Sequence, residues 1–375
     1  MAGLYIHIPF CQRKCPYCGF ASEVENPGER PAFLAALNRE MEAWTDAWHD
    51  VSFSSIYLGG GTPSLLEPGE LEGVLKGLRR HFRVQGFPEV TLEANPGTVN
   101  LEKLKEYHNL GVNRLSLGVQ AFQDVLLQRI GRIHSVRDGL QAFGCGREAG
   151  YDNLSIDLMF ALPGQTLEEW EESLAGAIEI NPEHISLYGL TVERGTPLEK
   201  GVASGRIQLP GEDIQARMYE KAWETLGQAG YDHYEISNFA KPEFRSRHNS
   251  GYWSGEPYLG LGPSAHSFRE PRRWANASQW EDYVAQTEAG GKAVAMEENL
   301  GQSQRRIEKI FLGMRRKEGI NLREYEQTFG ESLEARLKGH LPGLMDRGWV
   351  VREGEWLRLS EHGMALADAI FEEIG

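Results

Sequence analysis

Cysteine is scarce in this sequence, four residues in 375, and that scarcity excludes the disulfide framework of a small secreted domain. Long apolar runs are missing as well; nothing approaches the roughly 18 consecutive apolar residues of a helical membrane span. Positive charge is in deficit. Lys and Arg number 39 against 54 Asp and Glu, a formal net charge of −15, which argues against an overall binder of nucleic acid or anionic membranes. The N-terminus runs directly into Leu4-Tyr5-Ile6-His7-Ile8-Pro9 without a basic segment and cleavable apolar core. These absences predict a soluble, cytoplasmic protein. Its 41% hydrophobic residues are enough for a large core, and its length suits two or three domains.

Three of the four cysteines fall within eight residues, Cys11, Cys15 and Cys18. Three thiolates at C-x3-C-x2-C spacing can hold three irons of a [4Fe-4S] cluster and leave the fourth iron without a protein ligand. Phe20 occupies the position where a further cysteine would continue the run. Spacing leaves two other readings open: incidental thiols, or a zinc site completed by His7 or Cys145, because structural zinc takes four ligands. Cys145, in Phe143-Gly144-Cys145-Gly146, reads as a small buried hydrophobe.

Short apolar, β-branched runs alternate with amphipathic helical stretches from Leu4 to about Thr191. Strands are predicted at Leu4 to Ile8, Ser55 to Leu58, Glu89 to Glu93, Arg114 to Gly118, Leu154 to Met159 and His184 to Tyr188. Helices are predicted over Pro31 to Trp48, Glu70 to Phe82, Leu101 to Leu110, Val136 to Ala149 and Leu167 to Ile180. That alternation implies βαβ units in a parallel sheet. A doubly wound sheet would satisfy it, but polar and glycine-rich segments recur just after the strands, which favours an α/β barrel whose strand ends form one active-site face. Among them Gly59-Gly60-Gly61-Thr62-Pro63-Ser64 is not a phosphate loop, since no lysine follows the last glycine.

Cys-x3-Cys-x2-Cys followed by Gly-Gly-Gly-Thr-Pro-Ser, Leu-Glu-Ala-Asn-Pro, Gly-Val-Gln-Ala-Phe and Ile-Asp-Leu-Met-Phe-Ala-Leu-Pro-Gly-Gln-Thr resembles the radical S-adenosylmethionine (SAM) superfamily. Within it the whole chain is similar to the branch of oxygen-independent coproporphyrinogen III oxidase and the HemW heme chaperones. The resemblance implies an α/β fold, a partial open (β/α)6 radical-SAM barrel followed by a small winged-helix-like C-terminal domain. It also implies that Cys11, Cys15 and Cys18 hold the cluster. SAM would chelate the open iron and be cleaved at its sulfonium, the cofactor carrying the chemistry while the protein orients it. By motif position Gly60, Gly61 and Thr62 would approach the methionyl part and Glu93 its ammonium group. Arg132 would pair with the methionyl carboxylate, Gln120 and Asp157 would bond the ribose hydroxyls, and Tyr5 would flank the cluster.

Two departures from the oxidase pattern, Phe20 in place of a cysteine and a start almost on the first strand, count against porphyrinogen decarboxylation. A positive signal lies in Arg247-His248-Asn249-Ser250-Gly251-Tyr252-Trp253. His-Asn-x-x-Tyr-Trp resembles the chaperone motif, which implies His248 as a heme ligand; imidazole binds heme iron and aromatics can cover a flat macrocycle. His266, in Gly260-Leu261-Gly262-Pro263-Ser264-Ala265-His266, is a second heme-contact candidate. The expected domains are a barrel core over 1–230, an extension carrying the histidine motif over 231–298 and the winged-helix-like unit over 299–375. That last unit holds 12 basic and 13 acidic residues over 301–375, no basic excess for a DNA contact. The expected cofactors are the [4Fe-4S] cluster, SAM and heme. The partners are heme and recipient apo-hemoproteins, some reached by peripheral contact at a membrane, and no nucleic acid. After anaerobic reconstitution, Cys11→Ala, Cys15→Ala or Cys18→Ala should lose most iron and acid-labile sulfide per chain, and Cys145→Ala should lose neither.

Overall fold

The computed structural model describes residues 2–374. Six parallel strands, β1 (Ala2–Ile8), β2 (Ser52–Gly60), β3 (Arg83–Ala94), β4 (Arg114–Gln120), β5 (Leu154–Phe160) and β6 (His184–Gly189), lie side by side in chain order. Strands adjacent in sequence and adjacent in space, with a helix returning each to the next, make an open (β/α)6 barrel rather than a doubly wound sheet. Each predicted strand lies inside the observed one. The helix predicted over Leu167 to Ile180 forms between those residues. Its limits are written locally: Thr166 and Glu169 make a reciprocal capping box, and Asn181 closes the other end in the left-handed region at φ 56°.

The sheet extends beyond the barrel. Antiparallel strands Asp232–Glu235 and Asn238–Ala240 continue it past β6. On the other side Tyr258–Leu261 runs parallel to β1, followed by the antiparallel strands His266–Arg269, Arg272–Asn276 and Val294–Asn299. This twelve-stranded arrangement was not legible in the sequence, because its added strands are only three to six residues long. Residues 302–374 form a smaller unit of helices with a three-stranded wing, Ile320–Asn321, Trp356–Leu359 and Val350–Glu353. This unit is built on its own apolar cluster, which includes Ile310, Met314, Tyr325, Leu357 and Ile370. No helix among the described residues is long and apolar enough to cross a membrane.

Alternation along β1 to β6, interrupted by a few register shifts, sorts most side chains into two faces. Leu4, Ile6, Ile56, Leu58, Val90, Leu92, Leu115, Leu117, Ile156, Leu158, Ile185 and Leu187 are buried outward against helices that supply Phe33, Leu37, Leu71, Leu75, Leu104 and Trp170. The alternate positions face the barrel interior and are polar: Tyr5, Ser55, Tyr57, Thr91, Glu93, Arg114, Ser116, Ser155, Asp157, His184 and Ser186. The interior of an α/β barrel is ordinarily packed with branched apolar side chains; this one is lined with groups that need partners. Leu117 is fully buried on the outer face. Leu117→Ala should lower unfolding free energy by about 3 kcal/mol, read from a denaturant midpoint shift.

Candidate functional site

At the carboxyl ends of the strands the cluster loop follows β1. The Thr62 hydroxyl donates to Cys11 Sγ at 3.5 Å, and Arg132 donates to Cys15 Sγ at 3.8 Å. Donors aimed at sulfur fit a group whose sulfurs carry negative charge. Among the described residues no three His, Cys, Asp or Glu side chains converge as on one metal ion. The groups a zinc site would recruit are engaged elsewhere. His7 is bonded to Tyr5 Oη (3.0 Å) and to the Ala21 carbonyl (2.8 Å), and Cys145 packs against the apolar core.

The glycine loop ending β2 is shaped by close neighbours. Gly60 has φ 108°, and a Cβ there would lie 2.7 Å from the His7 ring; one on Gly61 would lie 2.6 Å from the Phe10 carbonyl oxygen. Both glycines thus let the loop lie against the chain that carries Cys11. The Gly60 N–H donates to Glu93 Oε2 at 3.2 Å, and the Tyr57 hydroxyl donates to Glu93 Oε1 at 2.7 Å. Burial pushes the Glu93 carboxyl up to about 7, aided by the Asp157 charge and opposed by the Tyr57 bond. Asp157 accepts from Ser116 at 3.1 Å and from Ser186. Burial raises its pKa too, and Arg114 and Arg132 oppose the rise.

Arg132 also donates to the Gly118 carbonyl at 2.9 Å, and Gln120 sits in the left-handed region at φ 71°, the kind of backbone strain that clusters at functional sites. Tyr5 lies beneath, its ring 6.2 Å from Tyr57 and its phenol pushed up by burial. The residues predicted from separate motifs therefore share one end of the barrel, with Glu93 joined to the glycine loop and Arg132 to the cluster loop.

His248 is elsewhere. Its helix, Arg247–Ser254, closes the opposite end of the barrel, anchored where Glu89 accepts the backbone N–H of Arg247 and of His248, each at 3.0 Å. The ring is 3% exposed, stacked 5.1 Å from Tyr57, and both nitrogens are engaged: Nδ1 with Ser55 at 2.9 Å and Nε2 with Tyr252 at 2.8 Å. Burial first, then Arg114, pushes its pKa down to about 3, so it is neutral. Neither nitrogen is open to an iron in this conformation.

A cavity of about 740 Å³ lies beside the cluster loop, against the extended sheet. Its walls include Gly19, Phe20 and Ala21 from that loop, Tyr5 and His7 from β1, and Tyr252 and Trp253 from the His248 helix. Tyr258, His266, Phe268, Arg273 and Met296 come from the added strands, and Glu308 and Leu312 from the C-terminal unit. Phe20, noted in the sequence only as a missing cysteine, is 68% exposed. Reading motifs missed Tyr57, Ser116, Ser186 and Arg114, although their period-two placement in the strands was visible. It also missed Arg273, whose strand carried no motif.

Comparison with known proteins agrees with this fold. Residues 5–175 match the radical SAM superfamily, and residues 302–366 match the HemN C-terminal domain. The chain is 35% identical over 372 residues to the heme chaperone HemW of Bacillus subtilis, covering 99% of this chain and 98% of that protein.

The chain belongs to the HemW family of radical SAM proteins. A second heme chaperone HemW, from Lactococcus lactis, is 34% identical over 98% of this chain and 96% of its own length. Among solved structures, coproporphyrinogen III oxidase (HemN) from Escherichia coli superposes with a TM-score of 0.87 at 23% identity, covering 99% of this chain and 89% of that one. That likeness establishes the shared fold. Membership of the superfamily implies a [4Fe-4S] cluster and SAM.

The Glu93 carboxyl titrates near 7 in the folded chain, against about 4.3 when unfolded. The folded state therefore holds this proton more tightly. Its contribution is full below about pH 4.3 and is lost as pH rises through about 7. Tyr57→Phe removes a donor to the carboxylate, which should raise that pKa further and destabilise the cofactor-free protein more at pH 8 than at pH 6 in denaturant titrations.

Proposed function

We propose that the protein is a heme chaperone: it binds heme in the 740 Å³ cavity and passes it to apo-hemoproteins. The cavity is the observation that carries this reading. Its volume falls in the range of ligand sites, and the aromatic side chains of Phe20, Tyr252, Trp253, Tyr258 and Phe268 suit a flat macrocycle. The HemW relatives support the same reading.

His266 is the imidazole we assign to the iron. It stands exposed at the start of its strand in the cavity wall, with its ring pKa lowered by burial and by Arg273, so the neutral, ligating form prevails. His248 reaches a ligand only if Tyr252 gives up its bond. In the geometry described, His248 holds the Tyr252 phenol against the cavity.

Cys11, Cys15 and Cys18 hold the cluster in this reading, and the chemistry that such a cluster supplies is one-electron cleavage of a bound SAM sulfonium. Around it the chain's own groups position SAM. Glu93 would meet the ammonium group, Gly60, Gly61 and Thr62 would border the methionyl part and Arg132 its carboxylate, and Gln120 and Asp157 would take the ribose hydroxyls. Tyr5, which lines the cavity, would flank the cluster.

The test is a heme titration of parent, His266→Ala and His248→Ala proteins by Soret absorbance. His266→Ala should weaken heme binding by about tenfold or more and change the band position, and His248→Ala should keep the parental band. The reverse outcome would move the ligand to His248. Multiple turnovers of coproporphyrinogen III to decarboxylated porphyrin by the reconstituted protein would replace this reading with that of an oxidase.

A further inference from the structure

The cavity wall is rich in negative charge. Glu298 and Glu308 line it, both paired with the Arg273 guanidinium in the same lining. A macrocycle bearing two carboxylates would meet repulsion there unless one wall carboxylate gives way.

Arg273 has two carboxylate partners of different standing. Glu298 lies directly across the strand pair from it, with its oxygen 3.6 Å away, so the sheet itself holds that neighbour. Glu308, the closer partner of Arg273, belongs to the helix Gln302–Met314, whose inner residues pack into the separate apolar cluster of the C-terminal unit. This junction is tied by backbone hydrogen bonds from Ile236 to Arg315 and from Lys317 to Tyr234 and by polar side-chain pairs. Arg305 pairs with Glu270, Lys317 with Asp232, Arg245 with Glu318 at 2.5 Å, and His233 with Glu361 at 2.6 Å. Leu312 adds an apolar wall to the cavity from the same helix. The Arg273 side chain is 26% exposed and its guanidinium lies 5.7 Å from the Phe268 ring, which leaves it backed by an aromatic on the cavity side.

We propose that Arg273 is the carboxylate-recognition residue of the cavity and that Glu308 occupies it until a propionate-type carboxylate of the ligand takes its place. The inference rests on the heme reading and names the residue that reads the ligand's acid groups. The exchange is of like for like: Arg273 keeps a charge-assisted carboxylate partner throughout, and Glu308, already 24% exposed, turns to water. Loading the cavity then removes one ion pair from the seam between barrel and C-terminal unit, which couples cargo to the fit of that unit.

The experiment titrates the full chain with heme and with its dimethyl ester, which has the same iron and ring but no acid groups, in parent, Arg273→Met and Glu308→Gln proteins. Expected are roughly tenfold weaker heme binding in Arg273→Met with ester binding unchanged, and tighter heme binding in Glu308→Gln, again with no change for the ester. Glu308→Gln keeps the test valid if Arg273→Met folds poorly. A heme-to-ester affinity ratio that stays at the parental value in the variants would overturn the inference alone. A parent that binds neither porphyrin would overturn the heme reading and this inference with it.

Discussion

Burial of charge inside the barrel is the constraint on which the rest of the structure depends. Strand alternation sends most apolar side chains of β1 to β6 outward and leaves Glu93, Asp157 and Arg114 in the interior, where an unpaired ion is costly. The interior answers with a mesh of short hydrogen bonds. Tyr57 and the Gly60 amide serve Glu93, Ser116 and Ser186 serve Asp157, and Ser55 and Tyr252 hold the neutral His248. Arg114, 2% exposed with its Nε lacking a partner among the described residues, supplies positive charge toward both carboxyls. The mesh keeps the barrel interior polar and ordered without filling it with apolar bulk.

That arrangement divides the molecule into ends with different duties. At the carboxyl end of the strands the mesh reaches the surface as the glycine loop, Arg132 and the three thiols, a place for a charged cofactor. At the amino end the helix carrying His248 seals the barrel. Along one side the sheet continues past β1, and its added strands line the aromatic cavity, which a helix of the C-terminal unit borders through Glu308 and Leu312. The cysteine loop touches both the strand ends and the cavity, because Gly19, Phe20 and Ala21 line the latter while Cys11 and Cys15 accept hydrogen bonds from Thr62 and Arg132 at the former.

The basic run near Arg305 to Lys317 shows how a charged stretch changes meaning in three dimensions. Along the chain, charged helix positions like these ordinarily face solvent. In the fold, Arg305 and Lys317 fasten the C-terminal unit to the barrel, Arg306 donates to the Phe329 carbonyl at 3.0 Å within that unit, and Arg315 lies 4.7 Å over the Trp253 ring. The carboxylate of this helix that faces the cavity, Glu308, carried no signal in the linear pattern.

Much of the barrel was legible because its information is local. Period-two apolar runs mark β1 to β6, capping residues such as Thr166 with Glu169 mark helix starts, and the spacing of Cys11, Cys15 and Cys18 needs no partner from elsewhere in the chain. The glycine loop and Glu93 could be named from motifs, though not the hydrogen bond that joins them, since it links residues 33 apart. Only the tertiary structure decided that the added strands extend the barrel sheet, that His248 is sealed inside while His266 stands in a cavity wall, and that Arg273 faces Glu308. Those outcomes depend on register, burial and charge pairing between distant segments, and side-chain chemistry read along a chain does not say which face of a strand will meet water.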